Sequence, residues 1–536
     1  MNRALLLLPL LALPPRPRIV ASIRLPYTSS SSPAVGDVDG TGRLSVAITS
    51  DNIGDKTRDR DDPRNVNAVR LYRWDRGALR PHPGWPQPTR DATLGLALAD
   101  LDGDGRDEVI GACGQDFASP LMQKSGLWLS SRLYVWRGDG RPFAPWYPAT
   151  DDGAGIAAGH AYAAPCIADL NGDGRLEILH ASQGEWITDR FERGSMRLWS
   201  PNGRILARTQ GDTDRLPWRT LPGFAMDAPP VTADLDGDGR LEVIAATFTG
   251  KVYAWDNRGN DVPGWFPSAR AETQTRNNAL LRGAIAAADI DGRLGDEVMG
   301  GGYDGAMYAW TRGGKLLWRA LANPALPAPL TSGVAVGRLR RGNRPERDIV
   351  AGDQAGWVTV WRPNGSVFWR SPTTPGMPVE AEPSIGDVNG DGSQDVVVGG
   401  TDGYVYAFDG ETGALLWQVP MPAAPTLEGM RLESIFGAPA LCNLRGDGHM
   451  IVVVPTAQRY IVDTPTHQWQ GFGRLIALDC GPNTFHADRL DWPQYRHDRM
   501  RSGRLGASLA RPGDKKHVQN SARPRGGRRA GLRSAR

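Results

Sequence analysis

One nine-residue phrase recurs along this chain of 536 residues and limits what the chain can fold into. Its fullest copy runs from Asp234 to Glu242, with acidic side chains at the first, third, fifth and ninth positions and glycine at the sixth. Carboxylates at this spacing bring hard oxygen donors to one centre, and the glycine permits the sharp turn that lets them converge. The phrase therefore predicts a calcium-binding loop.

Eight copies of the phrase can be found, of which four are complete. The predicted Ca2+ ligands are Asp100, Asp102, Asp104 and Glu108; Asp169, Asn171, Asp173 and Glu177; Asp234, Asp236, Asp238 and Glu242; and Asp387, Asn389, Asp391 and Asp395. The incomplete copies begin at Asp37, Asp289, Gly337 and Asn443. In the second and fourth of these, Arg293 and Arg445 stand at ligand positions, and in the third a cluster of arginines replaces the pattern. We expect metal in the second, third, fourth and seventh loops and little metal elsewhere.

The residues after each loop decide between the folds that use such loops. An EF-hand loop leads into a helix and has its last carboxylate at the twelfth position. Here the loop leads into a short apolar run rich in β-branched residues, as in residues 108–111 and 395–398. Such runs are typical of strands.

A second repeating element is an aromatic strand that follows each loop, as in residues 134–136, 253–255 and 308–310. Each unit then has four predicted strands, and the chain has no convincing amphipathic helix. Four-stranded units at a period of about fifty to seventy residues indicate an all-β fold, the β-propeller. We predict eight four-stranded blades, with seven as the alternative, and expect residues 19–26 to add an outer strand to the last blade.

The loops, their strand context and the repeat length resemble the FG-GAP/VCBS repeat family, which includes the propeller of integrin α subunits. The resemblance covers residues 33–480 and implies calcium in the loop that joins the first two strands of a blade. Its members are mostly surface or secreted proteins that bind proteins or glycans. A weaker likeness, carried by residues 407–417, is to the tryptophan-docking repeat of quinoprotein propellers.

The termini differ from the repeats. Residues 4–13 form an apolar run too short to span a membrane, and we interpret residues 1–21 as a signal peptide. The protein is accordingly expected to be secreted, periplasmic or at the cell surface. The propeller is assigned to residues 22–503, with its aromatic end from Asp491 onwards packing on the last blade. Residues 504–536 are predicted to form a basic, disordered tail.

The remaining composition limits the partners and the chemistry. Four cysteines, Cys113, Cys166, Cys442 and Cys480, allow the pairs 113–166 and 442–480 or four free buried thiols. No transmembrane segment and no specific nucleic-acid partner are predicted, and we expect a monomer. Common catalytic motifs are absent from the sequence.

One set of polar residues precedes the innermost strands in successive units and is predicted to ring one mouth of the central channel. The set consists of Asp91, His160, Tyr162, Asp227, Arg282, Glu380, Glu382 and Glu433. These positions are candidates for ligand binding. Three insertions, residues 52–68, 116–131 and 183–195, fall between second and third strands and so share one face of the ring.

Three functions fit these features. The favoured hypothesis is a non-catalytic, calcium-binding propeller that presents loops and a channel mouth to a protein or glycan. The alternative is a lyase-like enzyme acting on polysaccharides, with His160, Tyr162 or Arg282 in proton abstraction or charge stabilisation. A pyrroloquinoline quinone-type quinoprotein is the third hypothesis.

Overall fold

Eight small antiparallel sheets form a ring in the computed structural model, so the all-β, eight-bladed propeller predicted from the sequence is confirmed. The structure describes residues 16–26, 31–50, 67–89, 92–114, 132–144, 146, 156–157, 164–182, 186–187, 190–191, 195–204, 206, 219–220, 229–247, 250–265, 281, 283–342, 344–426, 429–463 and 468–505.

The strands of the first four blades follow the order of the chain from the channel outwards. Blade one contains Ala34–Gly36, Ser45–Ser50, Asn67–Asp75 and Ala78–Pro81, with Gln87–Thr89 also paired to its third strand; blade two contains Ala92–Ala99, Glu108–Gly114, Arg132–Trp136 and Ile156–Ala157. Blade three contains Cys166–Ala168, Glu177–Ser182, Ser195–Trp199 and Arg219–Thr220, with a hairpin of Trp186–Ile187 and Arg190–Phe191; blade four contains Val231–Ala233, Glu242–Ala246 and Val252–Trp255.

The other four blades repeat this order. Blade five contains Ala286–Ala288, Glu297–Gly301, Ala306–Trp310 and Leu316–Leu321, and blade six contains Ala335–Gly337, Asp348–Gly352, Trp357–Trp361 and Val367–Pro372. Blade seven contains Ser384–Gly386, Asp395–Gly399, Tyr404–Phe408 and Leu415–Pro420; blade eight contains Ala440–Cys442, Ile451–Asp463, Gln468–Asp479 and, outermost, Arg18–Leu25. A hairpin of Ala423–Thr426 and Gly429–Leu432 connects blades seven and eight, and a short 3-10 helix spans Ala487–Arg489.

The amino-terminal strand closes the ring, as predicted. Arg18–Leu25 pairs antiparallel with Gln468–Asp479, with Arg18 opposite Asp479 and Leu25 opposite Gly473. Because this strand completes the last blade with residues from the start of the chain, it joins the two ends of the repeat. The strand includes residues 18–21, which also end the predicted signal peptide.

Neighbouring blades are held together by apolar side chains and by tryptophans of the outer segments. In four blade pairs the indole of one blade donates to a carbonyl in the third-to-fourth-strand turn of the next. The bonds are Trp85 to Gly138 at 2.7 Å, Trp265 to Arg312 at 3.0 Å, Trp318 to Pro363 at 2.7 Å and Trp369 to Gly410 at 2.7 Å. An indole-to-turn hydrogen bond of this kind therefore recurs in at least four of the eight blade pairs.

The antiparallel order of the strands gives the ring two distinct faces. The loop face carries the connections from first to second strands, which contain the acidic loops. The insertion face carries the connections from second to third strands and those between blades. The three insertions start and end at the insertion face, although most of their residues lie outside the described part of the chain.

All four cysteines are free and buried, as in the free-thiol alternative. Burial raises the pKa of the Cys166 and Cys442 thiols to about 12, so these side chains remain protonated at neutral pH. Within the described residues, no helix is long and apolar enough to cross a membrane.

Candidate functional site

The first carboxylate of each complete loop organises the backbone around it. In blade two, Asp100 accepts the N–H of Gly103 at 2.8 Å and the N–H of Gly105 at 2.9 Å. Asp387 of blade seven does the same for Gly390 and Gly392, at 2.7 and 2.9 Å. Gly103 and Gly105 have φ of 79° and 84°, the left-handed region that favours glycine. The two glycines of the phrase therefore shape the loop.

The ninth-position acid ties the end of the loop to its beginning. One oxygen of Glu108 accepts the N–H of Leu101 at 2.9 Å, and Glu177, Glu242 and Asp395 each accept the N–H of the residue at the second position in the same way. This acid begins the second strand, so the bond fixes its carboxylate next to the acids of the loop. This hydrogen bond explains why an acidic residue recurs at the ninth position of the phrase.

Burial and nearby like charges disfavour ionisation of these acids. Burial raises the pKa of Glu108 to about 8, and that of Glu177 and of Glu242 to about 7, with the neighbouring aspartates adding to the effect. Burial, with Asp391 and Asp387, also raises the pKa of Asp395 well above its ordinary value. A cation at the centre of the loop would compensate these charges.

The donor geometry fits a metal ion. Ligand oxygens lie within 4.8 Å of one another in three loops, those of Asp100, Asp102 and Glu108; Asp234, Asp236 and Asp238; and Asp289, Asp291 and Glu297. Oδ1 of Asp234 and Oδ1 of Asp395 are buried and have no hydrogen-bond partner in the part of the chain that the structure describes. Clustered carboxylate oxygens with unused lone pairs are the ligands that Ca2+ prefers.

The fifth loop keeps most of the donor arrangement of the complete loops. Arg293 occupies its fifth position, but its side chain is 79% exposed and lies 3.6 Å from Asp291. Glu297, at the ninth position, accepts the N–H of Ile290 as in the complete loops, and burial raises its pKa to about 7. The presence of this ninth carboxylate in the sequence was the available signal.

Side-chain cations take the place of a metal in other incomplete loops. In the sixth loop, Nε of Arg340 lies 3.0 Å from Oδ1 of Asp348, an acid that is 1% exposed. In the eighth loop, Arg445 lies between Asp447 and Asp479, at 2.8 and 3.0 Å. These two blades therefore neutralise their acids with guanidinium groups.

The complete second loop also contacts an arginine. Arg137, which follows the third strand of blade two, lies 2.8 Å from Asp102, 3.4 Å from Asp104 and 3.6 Å from Glu108. The side chain is 36% exposed, so it sits at the rim of the loop. A metal ion in this loop would compete with the guanidinium for the same carboxylates.

The central channel is occupied by residues 489–505 of the same chain, which we call the channel segment. The segment packs on the last blade, as predicted, through Leu441 and Pro493, but the prediction was too narrow, because the segment bonds to the innermost strand or its end in every blade. Main-chain carbonyls accept N–H groups in six blades: Leu441 to Pro493, Ile385 to Trp492, Leu98 to Arg499, Ile167 to Met500, Thr232 to Ser502 and Ala287 to Gly503. In blade one Val35 donates to the Gln494 side chain, and in blade six Arg338 donates to Asp491.

Two arginines of the channel segment are wholly buried and bind carbonyl groups. Arg496 donates to Ile285, Pro229 and Pro230. Arg501 donates to Leu96, Pro33, Ser32 and Tyr495. Arg496 thereby joins blades four and five, and Arg501 joins blades one and two, so each guanidinium group ties two neighbouring blades to the channel segment.

Further contacts tie the segment to acids of the ring. The Trp492 indole and the Arg496 N–H both donate to Oε1 of Glu382, at 2.8 and 2.6 Å. Nε of Arg499 lies 3.0 Å from Asp107, and Nε of Arg504 lies 2.5 Å from Asp296. Arg504 begins the predicted tail, yet it and Leu505 still bond to blade five.

The predicted ring of channel-mouth residues is described only in part. Asp91, His160, Tyr162, Asp227 and Arg282 lie outside the described residues. Glu380 is exposed on the insertion face. Glu382 is buried against the channel segment, and Glu433 is buried between Thr456 and Arg474, at 2.5 and 2.7 Å. The structure therefore brings Glu382 and Glu433 into internal networks.

Fold and loops together define a β-propeller with acidic loops on one face and a channel filled by its own chain. Residues 294–475, which include most of blades five to eight, match the family model described as outer membrane protein assembly factor BamB. No curated protein sequence matches the chain.

Solved structures share the fold at low identity. The exotype rhamnogalacturonan lyase YesX is similar with a TM-score of 0.51 and 18% identity, over 92% of this chain and 79% of that one. Rhamnogalacturonan lyase YesW gives a TM-score of 0.49 and 17% identity, over 91% and 79%. BamB from Moraxella catarrhalis gives 0.47 and 12%, over 88% and 99%. The similarity to YesX supports the propeller fold.

Proposed function

We propose that this protein is a calcium-stabilised binding propeller whose insertion face recognises a protein or glycan partner outside the cell or at its surface. The observation that carries the proposal is the channel segment, which bonds to all eight blades and fills the channel. A ligand therefore meets the faces of the ring. The calcium loops lie on the opposite face from the insertions and act as supports of the blades.

The insertion face carries the added structure of this chain. Besides the three insertions, the second and third strands of blade eight are 13 and 12 residues long, against five for each of these strands in blades five to seven. The hairpin of Ala423–Thr426 and Gly429–Leu432 lies in the preceding connection, and Ser434 bridges to Ala457 of the long strand. Long connections on a rigid scaffold are where recognition commonly occurs.

Exposed apolar side chains on this face provide the test. Leu326 and Met377 lie in the connections from blade five to six and from six to seven, and are 69% and 36% exposed. Leu294, 70% exposed, lies on the loop face and is the matched control. We expect Leu326→Ser with Met377→Ser to weaken binding to the partner, because buried apolar contacts contribute to interfaces, and Leu294→Ser to leave binding unchanged.

Binding is to be measured on a panel of acidic and neutral polysaccharides by affinity electrophoresis. Co-purification from the cells that naturally make the protein should be compared between the wild type, the double insertion-face variant and Leu294→Ser. A partner retained equally by the insertion-face variant and lost by Leu294→Ser would contradict the proposal.

The polysaccharide-lyase alternative is supported by the two rhamnogalacturonan lyases among the similar structures. Its candidate residues His160, Tyr162 and Arg282 lie outside the described residues. Incubation with uronic-acid polymers would produce an unsaturated product that absorbs ultraviolet light if the alternative holds. An unchanged absorbance over a broad panel of polymers would exclude it.

A further inference from the structure

A pocket of about 350 Å³ opens on the loop face between blades six and seven. It is bordered by the sixth loop, the seventh loop and the start of the channel segment. Four arginines line it, Arg338, Arg340 and Arg341 from the sixth loop and Arg489 from the segment. The sixth loop thus presents cations where the seventh presents carboxylates.

Three of these guanidinium groups form ion pairs with buried acids. Arg338 donates from Nε and Nη2 to the two oxygens of Asp491, at 2.9 and 2.7 Å. Arg340 is held by Asp348 at 3.0 Å, and Arg489 is held by Asp387 at 2.9 Å. The three acids are 8%, 1% and 0% exposed. A guanidinium group has five N–H donors in a planar fork. Each acid therefore fixes the orientation of its arginine and leaves some of the N–H donors of that arginine unused.

One of the remaining donors lacks a partner. Nη2 of Arg340 is buried, and within the described residues no acceptor reaches it. A buried donor without an acceptor is unfavourable, and a charged one more so. An oxyanion in the pocket would accept short, charge-assisted bonds from the more exposed guanidinium groups of Arg338 and Arg341, which are 43% and 61% exposed.

Acidic side chains in the lining of the pocket restrict the kind of anion. Asp391 and Asp488 also line it, and Arg341 lies 3.4 Å from Asp391 and 3.2 Å from Glu411. These acids repel an extended polyanion, whereas one small group can lie among the four arginines. We propose that this pocket binds a single oxyanion group, a sulfate, phosphate or carboxylate. This inference is independent of partner binding at the insertion face.

The test uses the full chain and three probes at matched ionic strength, sodium sulfate, sodium phosphate and sodium galacturonate, with sodium chloride as the reference. Isothermal titration calorimetry should detect binding of at least one probe to the wild type. Comparing the three probes separates a free inorganic anion from a sugar carboxylate as the natural ligand.

Variants locate the binding. Arg341→Gln changes a side chain that is 61% exposed, so the protein should fold, and Arg338→Gln removes a second donor. We expect each to raise the Kd by about tenfold, the effect of losing one charge-assisted bond. Arg141→Gln, on the loop face of blade two and 83% exposed, is the matched control and should bind normally. Absence of binding for all three probes, or a Kd unchanged in Arg341→Gln, would overturn the proposal.

Discussion

The indole nitrogen of Trp492 lies 2.8 Å from Oε1 of Glu382, and both side chains are buried where the channel segment meets blade seven. These residues are 110 positions apart in the chain. The bond joins the end of the chain to the approach of an innermost strand. It makes the channel segment part of the folded ring.

Trp492→Phe should destabilise the protein by about 1–3 kcal/mol, because the substitution leaves a buried carboxylate oxygen with one donor fewer. The measurement is urea unfolding at pH 7 of the wild type, Trp492→Phe, Glu382→Gln and the double variant. Since the two residues share one bond, the two single effects should not add. Strict additivity would show that the bond contributes nothing.

Glu382 should make stability depend on pH. Burial raises its pKa to about 6 from an ordinary 4.5, although Arg496 and the Trp492 bond oppose the shift. The folded protein therefore binds this proton more tightly than the unfolded chain does. The stabilisation is fully present below pH 4.5 and is lost as the pH rises through 6.

Glu382→Gln removes this titration and is its control. The unfolding free energy of the wild type relative to the variant should fall between pH 4.5 and pH 6 and then level off. Urea unfolding across this range measures the difference. A difference that is constant or rises with pH would contradict the expectation.

Removal of the channel segment should destabilise the protein far more than removal of the tail. A chain ending at His486 loses the bonds to all eight blades, so we expect a much lower melting temperature or no cooperative unfolding. A chain ending at Leu505 keeps the segment and should melt as the full protein does. Calorimetry of the three chains decides this. Equal melting temperatures would mean that the ring does not need the segment.

The effect of Asp395→Asn on stability should change sign when calcium is added. Without metal the variant loses a buried carboxylate whose ionisation is disfavoured, so it should be at least as stable as the wild type. With free calcium at about 100 times the Kd, the wild type gains about 2.7 kcal/mol from each occupied site, and the variant gains less.

Melting temperatures of the wild type and Asp395→Asn, measured once with calcium and once with chelator, give the difference in stability under both conditions. Asp447→Asn, in the arginine-containing eighth loop, is the matched control and should respond to calcium like the wild type. If chelation leaves the melting temperature of the wild type unchanged, the loops are turns without metal.

The repeat could be predicted because it is a local pattern. Strands and turns are specified over a few positions by local features of the sequence. Examples are the alternation of aromatic and small side chains in residues 253–255, the acidic side chain of Glu242 and the glycines of each loop. Radial closure then follows, since one four-stranded sheet cannot bury both faces. The outer strand from the amino terminus was predictable for the same reason, because an edge needs a partner.

The channel segment had no such pattern. Its hydrogen bonds to Leu98, Ile167, Thr232 and Ala287 join backbone groups. Because every residue type has these backbone groups, such bonds leave no pattern in the sequence. Arg496 and Arg501 look like surface residues in the sequence, yet both are completely buried and bond to carbonyl groups more than 200 positions away in the chain.

By itself, the sequence determined the four-stranded repeat of a propeller, the order of oxygen donors in each loop and the strand that closes the circle. Each of these depends on residue types at short, regular spacing. Only the tertiary structure decided that the channel is filled, that Glu382 and Glu433 are internal, and that the sixth loop forms an arginine-lined pocket. Those features depend on which distant groups meet once the ring has closed, and short-range spacing does not specify such contacts.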